Sequence, residues 1–264
     1  MRMLLPLPLC FLVVSLPFMA ETAPHSQPAS PLLPSSSSFH VPENQKFVYS
    51  VAWRRLNAGT ATILIEHTPS AEHLHSTANT SGITNKIYPV HDTFDAEIDP
   101  HTLCTLAVSR HSEEGSRRVD RKIHFDYSAA KSRVDEFDLR TGTKRHSEFD
   151  IPACLTDVVS GFFYASSLPL APGFSETFPV SEGGKTSGVK IAVEGRERVK
   201  VPFGEFDALR ARAEPISGPI EGKGKLWVWF TDDSRKIPVK INAKLGFATL
   251  VFELDRIETA TGGK

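Results

Sequence analysis

Residues 224–254, GKLWVWFTDDSRKIPVKINAKLGFATLVFEL, decide the fold and read as three consecutive antiparallel strands. In the first, Leu226, Val228 and Phe230 alternate with Trp227 and Trp229, so both faces carry large apolar groups where a solvent-facing strand would alternate with polar ones. That strand is expected to be covered on both sides. The run Thr231-Asp232-Asp233-Ser234-Arg235 follows, and its Asp and Ser side chains can bond their own backbone, which favours a turn over an acid/base pair. Ile237-Pro238-Val239-Lys240-Ile241 resumes the sheet; Pro238 has no ladder donor and points to an edge or a strand start. Ala248, Leu250, Phe252 and Leu254 then alternate with Thr249, Val251 and Glu253, a period of two.

The same pattern recurs upstream. Phe47, Tyr49, Val51 and Trp53 alternate, Asn57-Ala58-Gly59 supplies turn chemistry, and Ala61, Ile63 and Ile65 alternate again, an opening hairpin. Further strands are expected at 73–80, 92–98, 103–110, 117–127, 132–139, 143–149, 174–180, 187–201 and 205–214, with Val201-Pro202-Phe203-Gly204 as a tight turn. One segment departs from the period of two. After Pro152, residues Val158, Val159, Phe162, Phe163 and Ala165 recur at helical spacing and stop at Leu168-Pro169, which predicts the main helix over 152–167. The expectation is a mainly β fold, a strongly curved antiparallel sheet or incomplete β-barrel with that helix packed against it.

Residues 1–23 have an early Arg2, an apolar run to Ala20 broken by Pro6, Pro8 and Pro17, and small or polar residues after it, the plan of a cleaved secretory signal. Cys10 lacks the small preceding residue and longer apolar run of a lipid attachment site. Residues 24–45 are rich in Pro and Ser and read as a disordered leader; 46–258 form a single β-rich domain, and 259–264 a polar tail. The product is expected to be exported to the periplasm or cell envelope, with no transmembrane segment once the signal is gone. A net charge of −1 leaves no basic footprint for nucleic acid. Beyond the signal, Cys104 and Cys154 remain, and in a compartment that permits disulfides they are expected to pair; two buried free thiols are the alternative.

The phrases NAGTATI at 57–63, IPACLTDVVSGFFYASSLPLAPG at 151–173, ERVKVPFGEFDALRARAEP at 197–215 and LWVWFTDDSRKIPVKI at 226–241 resemble the exported bacterial family known as domain of unknown function 3108. The resemblance spans nearly the whole domain and implies an envelope location and a mainly β fold, with no activity and no catalytic residue to carry over. At the level of one motif, a Trp-containing strand, an acidic turn and a Pro-Val strand are similar to the closing strands of LolA/LolB-type lipoprotein carriers. That likeness implies an open barrel with a helical lid and an apolar interior.

Chemical motifs are near misses. Gly183-Gly184-Lys185-Thr186 lacks the leading glycine of a phosphate loop, since Pro179 stands there, and reads as a hairpin turn. Gly184 to Gly188 lacks the spacing of a nucleophile elbow. His73 and His75 on one strand face, with His91, Asp92 and Asp95, offer metal-ligating atoms, but the ten histidines are scattered in polar company and no metal site is expected. No nucleophile, base and orienting group fall together, so an enzyme and a cofactor are not expected. Two readings stand. One is a non-enzymatic binding or carrier module for a lipid or other apolar or amphipathic ligand, lined by Trp227, Trp229, Phe162 and Phe163. The other is an envelope assembly or structural factor that binds another protein through a sheet edge or surface patch.

Overall fold

A computed structural model describes residues 41–54, 56–68, 70–245 and 248–259, together with Leu32 and Phe39. The expected signal at 1–23 and residues 260–264 lie outside the described residues. The first half of the domain contains β1 (Gln45–Trp53), β2 (Leu56–His67), β3 (Glu72–Thr80), a short helix α1 (Gly82–Ile87), β4 (Val90–Ile98), β5 (Thr105–Glu114), β6 (Arg117–Asp126), β7 (Lys131–Asp138) and β8 (Thr143–Asp150). The second contains β9 (Thr156–Asp157), helix α2 (Ser160–Ser167), β10 (Ser175–Glu182), β11 (Lys185–Val201), β12 (Gly204–Pro215), β13 (Lys225–Thr231), β14 (Pro238–Leu245) and β15 (Ala248–Thr259). Pro238 is a strand start, where its missing N–H interrupts no ladder.

The fifteen strands of the described residues form one sheet, ordered β8-β7-β6-β5-β4-β3-β2-β1-β15-β14-β13-β12-β11-β10-β9. Short turns make sequence neighbours pair antiparallel, and β1 pairs with β15, so the first and last strands meet in the middle. The ring of strands is thus an up-and-down meander left open between β8 and β9. The fold is mainly β and curved like a barrel that does not close. β9 runs parallel to β10 because α2 carries the chain between them.

The two ends of the sheet nevertheless touch. The β10–β11 turn docks on β7, where the Ser132 hydroxyl donates to the Gly184 carbonyl at 2.6 Å. Gly184 has φ +85°, and a Cβ there would lie 2.3 Å from Val134 Cγ2, so only glycine allows this approach. Near β9, the Thr105 amide donates to the Leu155 carbonyl at 2.9 Å. Cys104 and Cys154 are joined in a disulfide at this junction, with Cα atoms 5.3 Å apart. Closing a loop with a sequence separation of 50 stabilises the fold by about 4 kcal/mol in the chain-entropy model.

The helix expected over 152–167 is shorter at its start. Residues 152–159 are held by other partners: the disulfide at Cys154, the Thr105 amide at Leu155 and the parallel pairing of β9. Asp157 then turns the chain, its carboxylate accepting the amides of Val159 at 2.8 Å and Ser160 at 3.0 Å and the Thr105 hydroxyl at 2.9 Å. These tertiary bonds outweigh the helical spacing of the side chains. Helix α1, six residues long, was not expected; it is too short to show an apolar period.

α2 packs inside the curve. Phe163 meets Phe47 with ring centroids 6.4 Å apart, Tyr164 meets Phe178 at 4.9 Å, and the Ser166 hydroxyl donates to the Lys236 carbonyl at 2.9 Å. The same core holds Tyr49, Ile65, Leu74, Ile98, Leu209, Phe230 and Leu254, all buried. The Tyr49 hydroxyl donates to the Pro238 carbonyl at 2.9 Å, and burial pushes its pKa upward. Within the stretch read as a leader, Val41 is buried and Leu32 and Phe39 pack against this core.

Candidate functional site

Strand alternation divides the first half into two faces. Ile65, Leu74, Ala96, Val108, Ile123 and Val134 are partners along one cross-strand row, and each is buried on the inner face. One residue away, every side chain points outward. Leu64, His75, Asp95, Ser109, Lys122, Asp135 and His146 make one outer row, and Glu66, His73, Glu97, Ala107, His124, Arg133 and Glu148 make the next.

Between these rows the outer surface dips into a trough of about 720 Å³. Its charged lining comprises the carboxylates of Glu66, Asp95, Glu97 and Asp135 against the cations of Lys122 and Arg133, with four histidines beside them. With neutral histidines the lining is acidic. The pairs in and beside it are surface pairs: His75 Nδ1 to Asp95 at 2.5 Å and His146 Nδ1 to Asp135 at 3.0 Å within the lining, and Arg133 Nε to Glu148, just outside it, at 3.2 Å. Each contributes at most about 1 kcal/mol, so they can be exchanged for contacts with a ligand at little cost. Next along the same face, His111 bonds Asp120 at 2.5 Å, and this bond, aided by Glu113, raises the histidine's pKa. At its far end the trough reaches β8, which among the described residues pairs with β7 alone and whose side chains are exposed along nearly its whole length. Its edge away from β7 has no strand paired to it among the described residues, although Lys185 of the β10–β11 turn reaches the Phe149 ring at 5.0 Å.

The residues that sequence reasoning singled out are dispersed. Phe163 is buried against Phe47, while Phe162 is half-buried and packs against the same core. The crevice beside Phe163, lined by Phe39, Pro42, Phe47 and Ile237 among others, has no room for a water-sized occupant. Trp229 sits on the other side of its strand from Val228 and Phe230. Its ring lies 5.8 Å from the Arg210 guanidinium and 5.9 Å from the Lys240 ammonium, and its indole N–H donates to Glu197. Trp227 is half-buried two residues along the same face. The strand is covered on both sides, on one by apolar core and on the other by charged side chains.

Of the scattered metal-ligating residues, His73, His75, His91 and Asp95 share the outer face. Asp92 lies on the opposite one, bonded to Arg110 at 2.7 Å. His91 is four residues from Asp95, about 13 Å along the strand, too far for one ion. Asp233 is a turn residue, its carboxylate accepting the amides of Arg235 at 3.0 Å and Lys236 at 3.3 Å. What sequence reasoning missed is the histidine-rich face. His73, His75, His91, His111, His124 and His146 all lie on the outer face of β3–β8. The signal was partial: His73 and His75 fall in the expected strand 73–80, His124 in 117–127 and His146 in 143–149, while His91 and His111 lie one residue outside 92–98 and 103–110, and gathering all six requires the register.

Among solved structures, a β-barrel-like protein of the domain of unknown function DUF1849 from Brucella abortus superposes with a TM-score of 0.60 at 8% identity, covering 88% of this chain and 99% of that one. A Bacteroides fragilis protein with a YmcC-like fold matches with a TM-score of 0.33 at 13% identity, covering 83% and 98%. The first likeness shows the fold alone. No curated protein matches the chain. The model of the family described as "Protein of unknown function (DUF3108)" matches residues 48–255, and with most of the domain inside that match the chain belongs to the DUF3108 family.

Proposed function

We propose that this chain is a non-enzymatic binding protein of the cell envelope that holds a polypeptide partner on the outer face of β3–β8. The observation that carries this reading is the acidic trough of about 720 Å³ ending beside the exposed edge of β8. An extended segment with Lys or Arg side chains meets both features. Its backbone can add to the edge of β8 away from β7, and its cations can lie among Asp95, Glu97 and Asp135. The signal-like plan of residues 1–23 supports an exported location. The apolar-carrier reading has less support. Trp229 is already clasped by Arg210, Lys240 and Glu197, and Phe163 is packed against Phe47, so neither offers free apolar surface.

A photo-crosslinking side chain placed at Ser109, in the trough, and at Lys200, an exposed residue of β11, tests the proposal in intact envelopes. One dominant polypeptide adduct is expected at Ser109 alone, and its yield falls when Asp135→Lys reverses the local charge. Equal adducts at both positions sink the idea. Stoichiometric acyl lipid in the detergent-free purified protein would replace it with the carrier reading.

A further inference from the structure

We propose that Glu43, His67 and Glu72 form a binding site for a single first-row divalent cation of the zinc class. The site lies away from the trough and does not depend on the function proposed above. His67 and Glu72 are the last cross-strand pair before the β2–β3 turn, two residues along the inner face from Ile65 and Leu74. That position explains why Glu72, a carboxylate, is only 5% exposed. Its Oε1 bonds the His67 Nδ1 at 2.8 Å, but its Oε2 is fully buried and has no hydrogen-bond partner among the described residues. A buried polar oxygen without a partner is costly, and a cation is a partner that would satisfy it.

Glu43, in the turn that leads into β1, supplies a third atom. One ligating atom from each of the three residues lies within 4.8 Å of the other two. Zinc bonds to imidazole nitrogen and carboxylate oxygen measure about 2.0–2.2 Å, so the ligands must draw together to hold the ion. Glu43 and His67 are exposed, and His67 already leans on Glu72, while Glu72 is held by its burial. One nitrogen and two carboxylate oxygens suit zinc and its neighbours; calcium takes six to eight oxygens and is disfavoured. The remaining coordination positions face solvent and are filled by water. A bound ion would fasten the segment ahead of β1 to the β2–β3 turn.

The simpler explanation is a hairpin-end ion pair with no metal, and Glu43 separates the two. It takes no part in the His67–Glu72 hydrogen bond, so Glu43→Gln leaves that pair intact while removing a ligand. The test is a calorimetric titration of the chelator-treated mature chain with zinc. The expected result is one equivalent bound, weakened at least about tenfold by E43Q, with the metal-free melting midpoint unchanged, and abolished by E72Q. Zinc uptake that E43Q and E72Q leave unaltered would place the metal on the outer-face histidines and overturn the assignment. So would the lack of uptake at protein stoichiometry.

Discussion

The two halves of the sheet obey the same alternation and differ in what covers their outer faces. On β12–β14, Arg210, Trp229 and Lys240 are direct cross-strand partners, and Lys240 reaches Glu253 on β15 at 2.6 Å. There a large indole fills the space between rows and its neighbours close over it. On β3–β8 the corresponding rows carry histidines, carboxylates and short side chains, and the surface between them stays open. A polar sheet face becomes a usable surface where no bulky side chain occupies the space between strands.

The comparison depends on the halves being held together, and the largest effect is expected at their junction. Replacing Cys104 and Cys154 together by serine should cost about 4 kcal/mol, read by urea unfolding of the oxidised and variant proteins. A loss below about 1 kcal/mol would mean that the bonds of Thr105 to Leu155 and Asp157 hold the junction without the bridge. Gly184→Val comes next, at about 2–3 kcal/mol, because its side chain collides with Val134 across the two ends of the sheet. Gly142→Ala is the control. That glycine also has positive φ but has open space around it, so the loss there should stay near 1 kcal/mol.

The smallest effect distinguishes the faces by pH. The bond to Asp120 raises the His111 pKa, so its stabilising contribution is complete below the unfolded value of about 6.5 and is lost as pH rises through the higher folded value. Asp120→Asn should flatten this part of the stability profile. The bond from Arg121 lowers the Glu136 pKa, so its contribution is present above the unfolded value and is lost as pH falls through the lower folded one. Arg121→Gln should remove that acid-side slope. Unchanged profiles in both variants would show that the pairs of this half contribute nothing to stability.

Most of the strands were legible because apolar residues at every second position state both a strand and its buried face, as in Phe47, Tyr49 and Val51 or Val119, Ile123 and Phe125. The resemblance to the DUF3108 family was legible from four ordered phrases. Four features were not. The two residues of β9 are too few to show a period, and α1 is little longer. The start of α2 was misplaced because Asp157 and the disulfide hold residues 152–157 in bonds to distant strands. The trough was hidden for a related reason: His75, Asp95, Ser109, Lys122, Asp135 and His146 are far apart in the chain and become one row only in the observed register.

The sequence alone determined the class of fold, the turns and the placement of apolar groups, because these depend on neighbours a few residues away and on the transfer of side chains out of water. Tertiary structure decided the rest. Register and curvature set which outer side chains stand together, and only the meeting of β1 with β15 and of the β10–β11 turn with β7 fixes them. That is why Trp227 and Trp229, the most conspicuous apolar pair in the chain, occupy a strand face flanked by charged side chains, while scattered histidines and carboxylates line its candidate site.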